Sequence, residues 1–112
     1  MPDRRPEDCR DMAELRALID ALDAELVARL ALRAACIDRA AEIKAGVGLP
    51  ARIPARVEEV VAKVRARADA EGLDADLAET LWRQLIEWSI AREERTLGPD
   101  GGPDGGDDGT TP

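Results

Sequence analysis

A long stretch without proline or glycine, from Asp11 to about Ala45, restricts the fold more than any other feature. Apolar residues recur along it at helical spacing, at Leu15, Ile19, Leu22, Leu26, Leu30, Ile37 and Ile43. Asp11 and Glu14 have the spacing of a capping box, which opens a helix. One helix of this length extends on the order of 50 Å, more than the rest of so small a domain can cover. The pattern therefore predicts a second copy of the chain beside the first.

A loop and a shorter helix follow the long one. The loop, Ala45 to Pro54, holds two glycines and two prolines and is able to change shape. A second helix is expected from about Ala55 to Glu71, with Gly72 as its stop. Its inner face is predicted to carry Val57, Val60, Val61, Val64 and Ala68.

The third helix is expected to begin near Asp74 or Asp76 and to end near Leu97, and it is apolar on two sides. One face carries Leu77, Leu81, Gln84 and Trp88, and the other carries Trp82, Ile86, Ser89 and Glu93. This pattern predicts a helix that is packed on both sides.

The composition supports an all-α fold with a single domain. Phe and Tyr are absent and only Trp82 and Trp88 are aromatic, so the apolar residues are those that suit packed helices better than a β-sandwich. We divide the chain into an N-terminal extension (residues 1–10), a helical domain (11–97) and an acidic tail rich in Gly and Pro (98–112). The tail is expected to be disordered because it has too few apolar residues to offset the entropy of ordering.

The net charge of −8 argues against a nucleic-acid partner, because binding phosphates requires a clustered cationic surface. Four of the negative charges lie in the tail, at Asp100, Asp104, Asp107 and Asp108. The folded part is therefore nearer neutral, and its cations can gather into an anion site. With neither a signal peptide nor a membrane-spanning segment in view, we expect a cytoplasmic protein with no membrane partner.

The chain has no histidine, which removes Ser–His and Cys–His nucleophile pairs and most transition-metal sites. Cys9 and Cys36 lack the spacing of metal ligands and are expected to be structural or incidental thiols. We expect neither a metal nor a cofactor.

Two cations, Arg33 and Lys44, interrupt the apolar stripe of the first helix. Burying an unpaired cation costs several kcal/mol, so each should reach water or meet an anion. In one interpretation Arg33 pairs with a core carboxylate and Lys44 reaches solvent at the helix end. In the other, Arg16 and Arg56 join them around one cavity that suits a small ligand with two carboxylates.

Two long segments of this chain resemble the all-α chorismate mutases. The residues PEDC (6–9) precede LRALIDALDAELVARLALRAA (15–35), which together with Lys44 resembles the family's first helix, and GLDADLAETLWRQLIEWSIAREE (72–94) resembles its third. Several positions of the first helix agree with the family pattern in a single register, namely Arg16, Ile19, Asp20, Asp23, Arg33 and Lys44. PEDC also resembles the isochorismate-pyruvate lyases that share this fold. The resemblance covers nearly all of residues 6–96 and implies an intertwined helical homodimer with two equivalent active sites.

The resemblance also implies roles for individual residues. Arg33 would bind one substrate carboxylate, and Arg16 of the other protomer would bind the second. Lys44 would donate to the ether oxygen of the breaking bond, and with Arg33 and Glu93 it makes up the predicted catalytic set. Further substrate-binding residues would be Arg56, Val57 and Ser89. Chorismate becomes prephenate by a concerted [3,3] rearrangement, so the site needs no nucleophile, only fixed cations that hold the compact diaxial conformer and stabilise the ether oxygen.

Two departures from the family pattern bear on the substrate. Glu93 stands where bacterial mutases have Gln beside the ether oxygen, an alternative found in fungal mutases. An ionised carboxylate there would repel the developing oxyanion, so Glu93 must be protonated to assist. Ile53 and Val57 stand where mutases place acidic residues near the ring hydroxyl, although the loop can also be aligned one residue differently. Isochorismate and an amino-substituted chorismate are therefore competing substrates.

Chorismate mutase is the leading hypothesis, and Glu93 favours it. PEDC and the missing loop carboxylates favour an isochorismate-pyruvate lyase, which would produce salicylate and pyruvate. A mutase acting on 4-amino-4-deoxychorismate is the third hypothesis. The fourth is a non-catalytic helical dimer, although a scaffold would have little reason to keep unpaired cations on an apolar stripe.

Overall fold

The computed structural model describes residues 4–98, and this part of the chain is helical without strands. Helix α1 extends over Met12–Val47, α2 over Pro54–Glu71 and α3 over Ala75–Leu97. A short 3-10 helix, Pro6–Asp8, precedes α1. The predicted all-α class with one long, one short and one medium helix is confirmed, whereas the homodimer stays a prediction. The predicted tail, apart from Gly98, lies outside the described residues.

The chain separates into an N-terminal unit that ends at Cys36 and a C-terminal unit that begins at Ile37. Helix α1 belongs to both, and most of it lies in the first. The C-terminal unit holds the last turns of α1 together with α2 and α3. Of the helices in residues 4–98, none has an apolar stretch long enough to cross a membrane.

Asp11 begins α1 through half of the predicted capping box. Its carboxylate accepts a hydrogen bond from the Glu14 amide at 2.9 Å, which satisfies an amide that the first turn leaves without a helical acceptor. The Glu14 carboxylate accepts from the backbone amide of Arg10, also at 2.9 Å, and from the Arg10 guanidinium at 3.0 Å. These bonds to Arg10 hold the pKa of Glu14 below its usual value. In a complete capping box the Glu14 carboxylate would accept from the amide of Asp11. Here it accepts from the amide of Arg10, one residue earlier.

The end of α1 lies two residues beyond the predicted Ala45, because Gly46 stays helical and the helix stops at Val47. Gly48 follows with φ of 77°, a left-handed conformation that glycine adopts without steric cost. The Leu49 amide then donates to the Lys44 carbonyl at 3.0 Å, which closes the last turn. Residues 48–53 form the loop between α1 and α2, called the α1–α2 loop below.

Specific residues also set the ends of α2 and α3. Pro54 is the first residue of α2, where its missing N–H has no helical acceptor to lose. Gly72 ends α2 with φ of 76°, as predicted, and the Leu73 amide donates to the Ala68 carbonyl at 2.8 Å. Asp74 caps α3 because its carboxylate accepts from the amides of Asp76 and Leu77, at 2.8 and 3.3 Å.

The core of the C-terminal unit forms where α2 and α3 pack on each other. Its buried residues are Ala51, Val61, Ile86, Ile90 and Leu97, with Val57 and Val60 packed against them. Val61 and Ala68 confirm the predicted inner face of α2, and Ile86 confirms one predicted face of α3. Replacing a buried Ile by Ala in such a cluster costs about 2–5 kcal/mol, so these contacts hold the two helices in register.

Two apolar faces remain exposed. On α1 the predicted stripe is open at Ile19, Leu22, Leu26 and Leu30, and Leu26 is 59% exposed. On α3 the second predicted face is open at Leu77, Leu81 and Trp88, and Trp88 is 49% exposed. Large exposed apolar patches are typical of interaction sites. The α3 pattern is therefore confirmed on one face, while packing on the other face stays a prediction.

Candidate active site

A lysine and a glutamate meet in the interior of the C-terminal unit. Lys44 lies in the last turn of α1, and Glu93 lies near the end of α3 with 4% exposure. The Lys44 ammonium donates to Glu93 Oε1 at 2.7 Å, the length of a charge-assisted hydrogen bond. It also donates to the Ala51 carbonyl at 3.0 Å. Both residues are in the catalytic set proposed from the sequence, and the structure brings them into direct contact, while their catalytic roles stay predictions.

The contact explains how a cation and a carboxylate are tolerated away from solvent. The Lys44 side chain is 19% exposed, so its charge is largely shielded from water. A buried ion is stable only when its partner and further hydrogen bonds replace lost hydration. Glu93 and the Ala51 carbonyl supply that replacement. The interpretation in which Lys44 simply reaches solvent is therefore wrong.

Ser89 lies one turn before Glu93 on the same buried face of α3. Its hydroxyl donates to the Leu85 carbonyl at 2.8 Å, a bond within the helix that fixes the direction of the hydroxyl oxygen. Ser89 is therefore buried, and its contact with a substrate stays a prediction.

Arg56, Val57 and Ile53 lie where the α1–α2 loop joins α2. Arg56 is exposed and pairs with Glu59 at 3.0 Å, and this hydrogen bond holds the pKa of Glu59 below its usual value. Val57 is half-buried against the core, and Ile53 is half-buried in extended conformation just before Pro54. The apolar character of Val57 thus has a packing reason, and the substrate contacts of Arg56 and Val57 stay predictions.

Arg16 and Arg33 lie on the part of α1 that belongs to the N-terminal unit. Arg16 is exposed, and Arg33 is half-buried. Arg16 makes no ion pair or hydrogen bond through its side chain within residues 4–98. Their grouping with Lys44 around one ligand stays a prediction.

Two of the further ion pairs of α3 join it to the α1–α2 loop and to α1, and sequence reasoning missed both. Arg52 of the α1–α2 loop bonds Glu87 through two nitrogens, at 2.9 and 2.6 Å. Arg92 bonds Asp38 of α1 in the same way, at 2.8 and 3.2 Å, and lies 5.9 Å from the Trp88 ring centroid. Hydrogen bonding to these arginines holds the pKa of both carboxylates below the usual values. The partners lie far apart in sequence, so helical spacing gave no signal.

The fold and the contact between Lys44 and Glu93 define a small all-helical protein that holds a cation and a carboxylate together between two helices. The family model for chorismate mutase type II matches residues 15–94. The chain therefore belongs to the chorismate mutase type II family, and the resemblance found in the sequence is confirmed. Membership implies an enzyme.

Two characterised relatives carry different names. The isochorismate pyruvate lyase of Pseudomonas aeruginosa is 35% identical over 94 residues, which cover 80% of this chain and 88% of the relative. The T-protein of Enterobacter agglomerans is 32% identical over 94 residues, which cover 80% of this chain but only 25% of that protein.

Proposed function

We propose that this protein is a chorismate mutase that converts chorismate to prephenate. The observation that carries the proposal is the shielded contact of Lys44 with Glu93 at 2.7 Å in a chain of the chorismate mutase type II family. In the rearrangement the ether C–O bond breaks as a C–C bond forms, and no proton or leaving group is released. The enzyme therefore has to fix a conformer and stabilise charge at the ether oxygen.

Lys44 is suited to stabilising charge at the ether oxygen because the direction of its ammonium is already fixed. A lysine ammonium has three donors, and Lys44 gives one to Glu93 and one to the Ala51 carbonyl. Among the described residues it has no further acceptor, so one N–H remains for the ether oxygen. In the complex, Glu93 carries a proton and donates to the same oxygen, because an ionised carboxylate would oppose the developing charge.

In this proposal Arg33 and Arg16 perform the first task, which is to fix the conformer of the substrate. Each guanidinium binds one carboxylate of the substrate by paired hydrogen bonds, a geometry for which arginine is well suited. Arg33 comes from the protomer that supplies Lys44, and Arg16 comes from its partner. Holding both carboxylates keeps the substrate in the compact diaxial conformer.

The proposed assembly is a homodimer. Its support is the exposed apolar stripe of α1 at Ile19, Leu22, Leu26 and Leu30, together with the exposed face of α3. A second copy would bury this surface and bring its own Arg16 to the site. Removing apolar surface from water contributes about 25 cal/mol per Å², so stripes of this length favour association.

The second candidate is an isochorismate-pyruvate lyase, which would split isochorismate into salicylate and pyruvate. The observation that favours it is the relative of that name in Pseudomonas aeruginosa, of which this chain covers 88%. The reaction also breaks an ether bond, so the same contact between Lys44 and Glu93 would serve it.

The experiment is to incubate the purified protein separately with chorismate, isochorismate and 4-amino-4-deoxychorismate. Prephenate is an isomer of chorismate and is identified by NMR, whereas salicylate and pyruvate are identified by mass. The proposal expects prephenate to form fastest. Salicylate from isochorismate at a higher kcat/KM would establish the second candidate, and inactivity on all three would favour the non-catalytic dimer.

A further inference from the structure

The direction of the Lys44 ammonium depends on a main-chain atom of the α1–α2 loop. Nζ donates to the Ala51 carbonyl oxygen at 3.0 Å as well as to Glu93. Lysine side chains have several rotatable bonds, so one contact alone leaves the other two N–H groups free to rotate. Two fixed acceptors restrict the direction of the third. The position of Ala51 therefore decides where the remaining N–H points.

Ala51 belongs to a loop, yet it is 3% exposed and is part of the core cluster. Its methyl group packs among the side chains that join α2 to α3, including Val61 and Ile86. Loop residues usually lie on the surface, where their backbone groups reach water. Because Ala51 is buried in the core cluster, its carbonyl lies inside the unit, within reach of Lys44.

The next residue, Arg52, ties the same loop to α3 from outside. Its guanidinium bonds both carboxylate oxygens of Glu87, at 2.6 and 2.9 Å. A two-point contact between a planar guanidinium and a carboxylate restricts orientation as well as distance. Glu87 precedes Glu93 by less than two turns on one rigid helix. Helix α3 thus holds both the loop and the carboxylate that Lys44 contacts.

We propose that Arg52 and Glu87 are positioning residues for Lys44. By fixing the α1–α2 loop on α3, the pair keeps the Ala51 carbonyl against the ammonium and directs the remaining N–H toward the ligand. The claim that this N–H acts on a substrate rests on the proposed function. The restraint on the loop does not, so the two are tested separately.

The test uses the full chain with the neutral variants Arg52→Gln and Glu87→Gln and the charge swap Arg52→Glu with Glu87→Arg. Matched controls are Arg83→Gln and Glu58→Gln, which break another two-point pair, at 3.1 and 3.3 Å, that joins α2 to α3. The readouts are kcat and KM on the substrate that the wild type converts, and amide hydrogen exchange in the segment 49–53.

Arg52→Gln and Glu87→Gln should each lower kcat about fivefold with little change in KM, because an exposed pair contributes modestly and the carboxylate-binding arginines are untouched. Exchange in the segment 49–53 should rise by a similar factor. The charge swap should recover most of both losses, and the control variants should change neither. The inference would be overturned if Arg52→Gln and Glu87→Gln matched the controls in kcat and hydrogen exchange. It would also be overturned if the charge swap recovered neither kcat nor the slow exchange.

A wild type that converts none of the three substrates would overturn the proposed function but not this inference. Hydrogen exchange then decides alone. Faster exchange in the two single variants with recovery in the swap supports the restraint, and unchanged exchange refutes it.

Discussion

Lys44 and Glu93 are in contact at 2.7 Å although 49 positions separate them in the chain. The contact joins the last turn of α1 to the end of α3, and both side chains are shielded from water. In the proposed reaction the same two groups approach the ether oxygen, where negative charge develops. In that proposal Glu93 stabilises the charge only when it holds a proton.

Glu93→Gln should flatten the pH profile of the rate. In the wild type, activity is expected to decline as pH rises, because a general acid has to keep its proton. A glutamine keeps its N–H at every pH, so its kcat should stay level from about pH 5 to 8. Steady-state kinetics across this range checks the prediction. A wild-type rate that increases steadily with pH would show that Glu93 does not act as a donor.

Asp38→Asn should destabilise the protein at neutral pH and have little effect in acid. Two hydrogen bonds from Arg92 hold the pKa of Asp38 below its usual value, so the ionised carboxylate is bound more tightly in the folded state. A lowered pKa contributes stability above about pH 4, and this contribution is lost as pH falls through the folded-state value.

Urea unfolding of wild type and variant at a fixed protomer concentration measures this difference. The gap between the two midpoints should narrow as the pH is lowered below about 4. Arg92→Gln should lose as much stability at neutral pH as Asp38→Asn does. The double variant should be no less stable than either single variant. A gap that stays constant with pH would mean that the pair does not stabilise the fold.

Leu26→Glu should weaken the dimer. Leu26 is 59% exposed in the single chain and lies in the middle of the apolar stripe of α1, so a second copy would have to bury the new charge. Sedimentation velocity should show wild-type dimer and mostly monomer for the variant. Ala70→Glu, at an exposed position of α2, serves as the control and should remain dimeric. Equal dissociation constants for all three proteins would place the interface elsewhere.

Arg16→Ala and Arg33→Ala should complement each other when mixed. In the proposed dimer each site takes Arg16 from one chain and Arg33 from the other, so each variant alone has two damaged sites. After subunit exchange in equal amounts, half of the dimers are mixed and each mixed dimer has one intact site, which restores about a quarter of wild-type activity. No recovery on mixing would mean that both arginines of a site belong to one chain.

The helices could be predicted from sequence because their signals are local. The Pro and Gly positions, the caps at Asp11 and Asp74 and the stop at Gly72 gave boundaries within a few residues of those observed. The end of α1 lies two residues beyond the prediction, because a single glycine such as Gly46 is compatible with a helix interior and, of the two glycines there, only Gly48 has a positive φ.

The candidate site was predictable only in part. Lys44 and Glu93 stood out because a charge on an apolar stripe needs a reason. Ala51 gave no signal, since its contribution is a backbone carbonyl that any residue possesses. The pair of Arg52 and Glu87 consists of exposed charges on separate elements, and helical periodicity relates only residues of one helix.

Turnover by Lys44→Ala shows whether Lys44 donates to the ether oxygen. We expect kcat/KM on chorismate to fall by at least about a hundredfold, because that donor is lost, while the helical circular dichroism and the dimer persist. Lys63→Ala removes an exposed lysine of α2 that pairs with Glu59, and it should retain wild-type kinetics. A folded Lys44→Ala protein with a near-normal rate would show that Lys44 is not the donor.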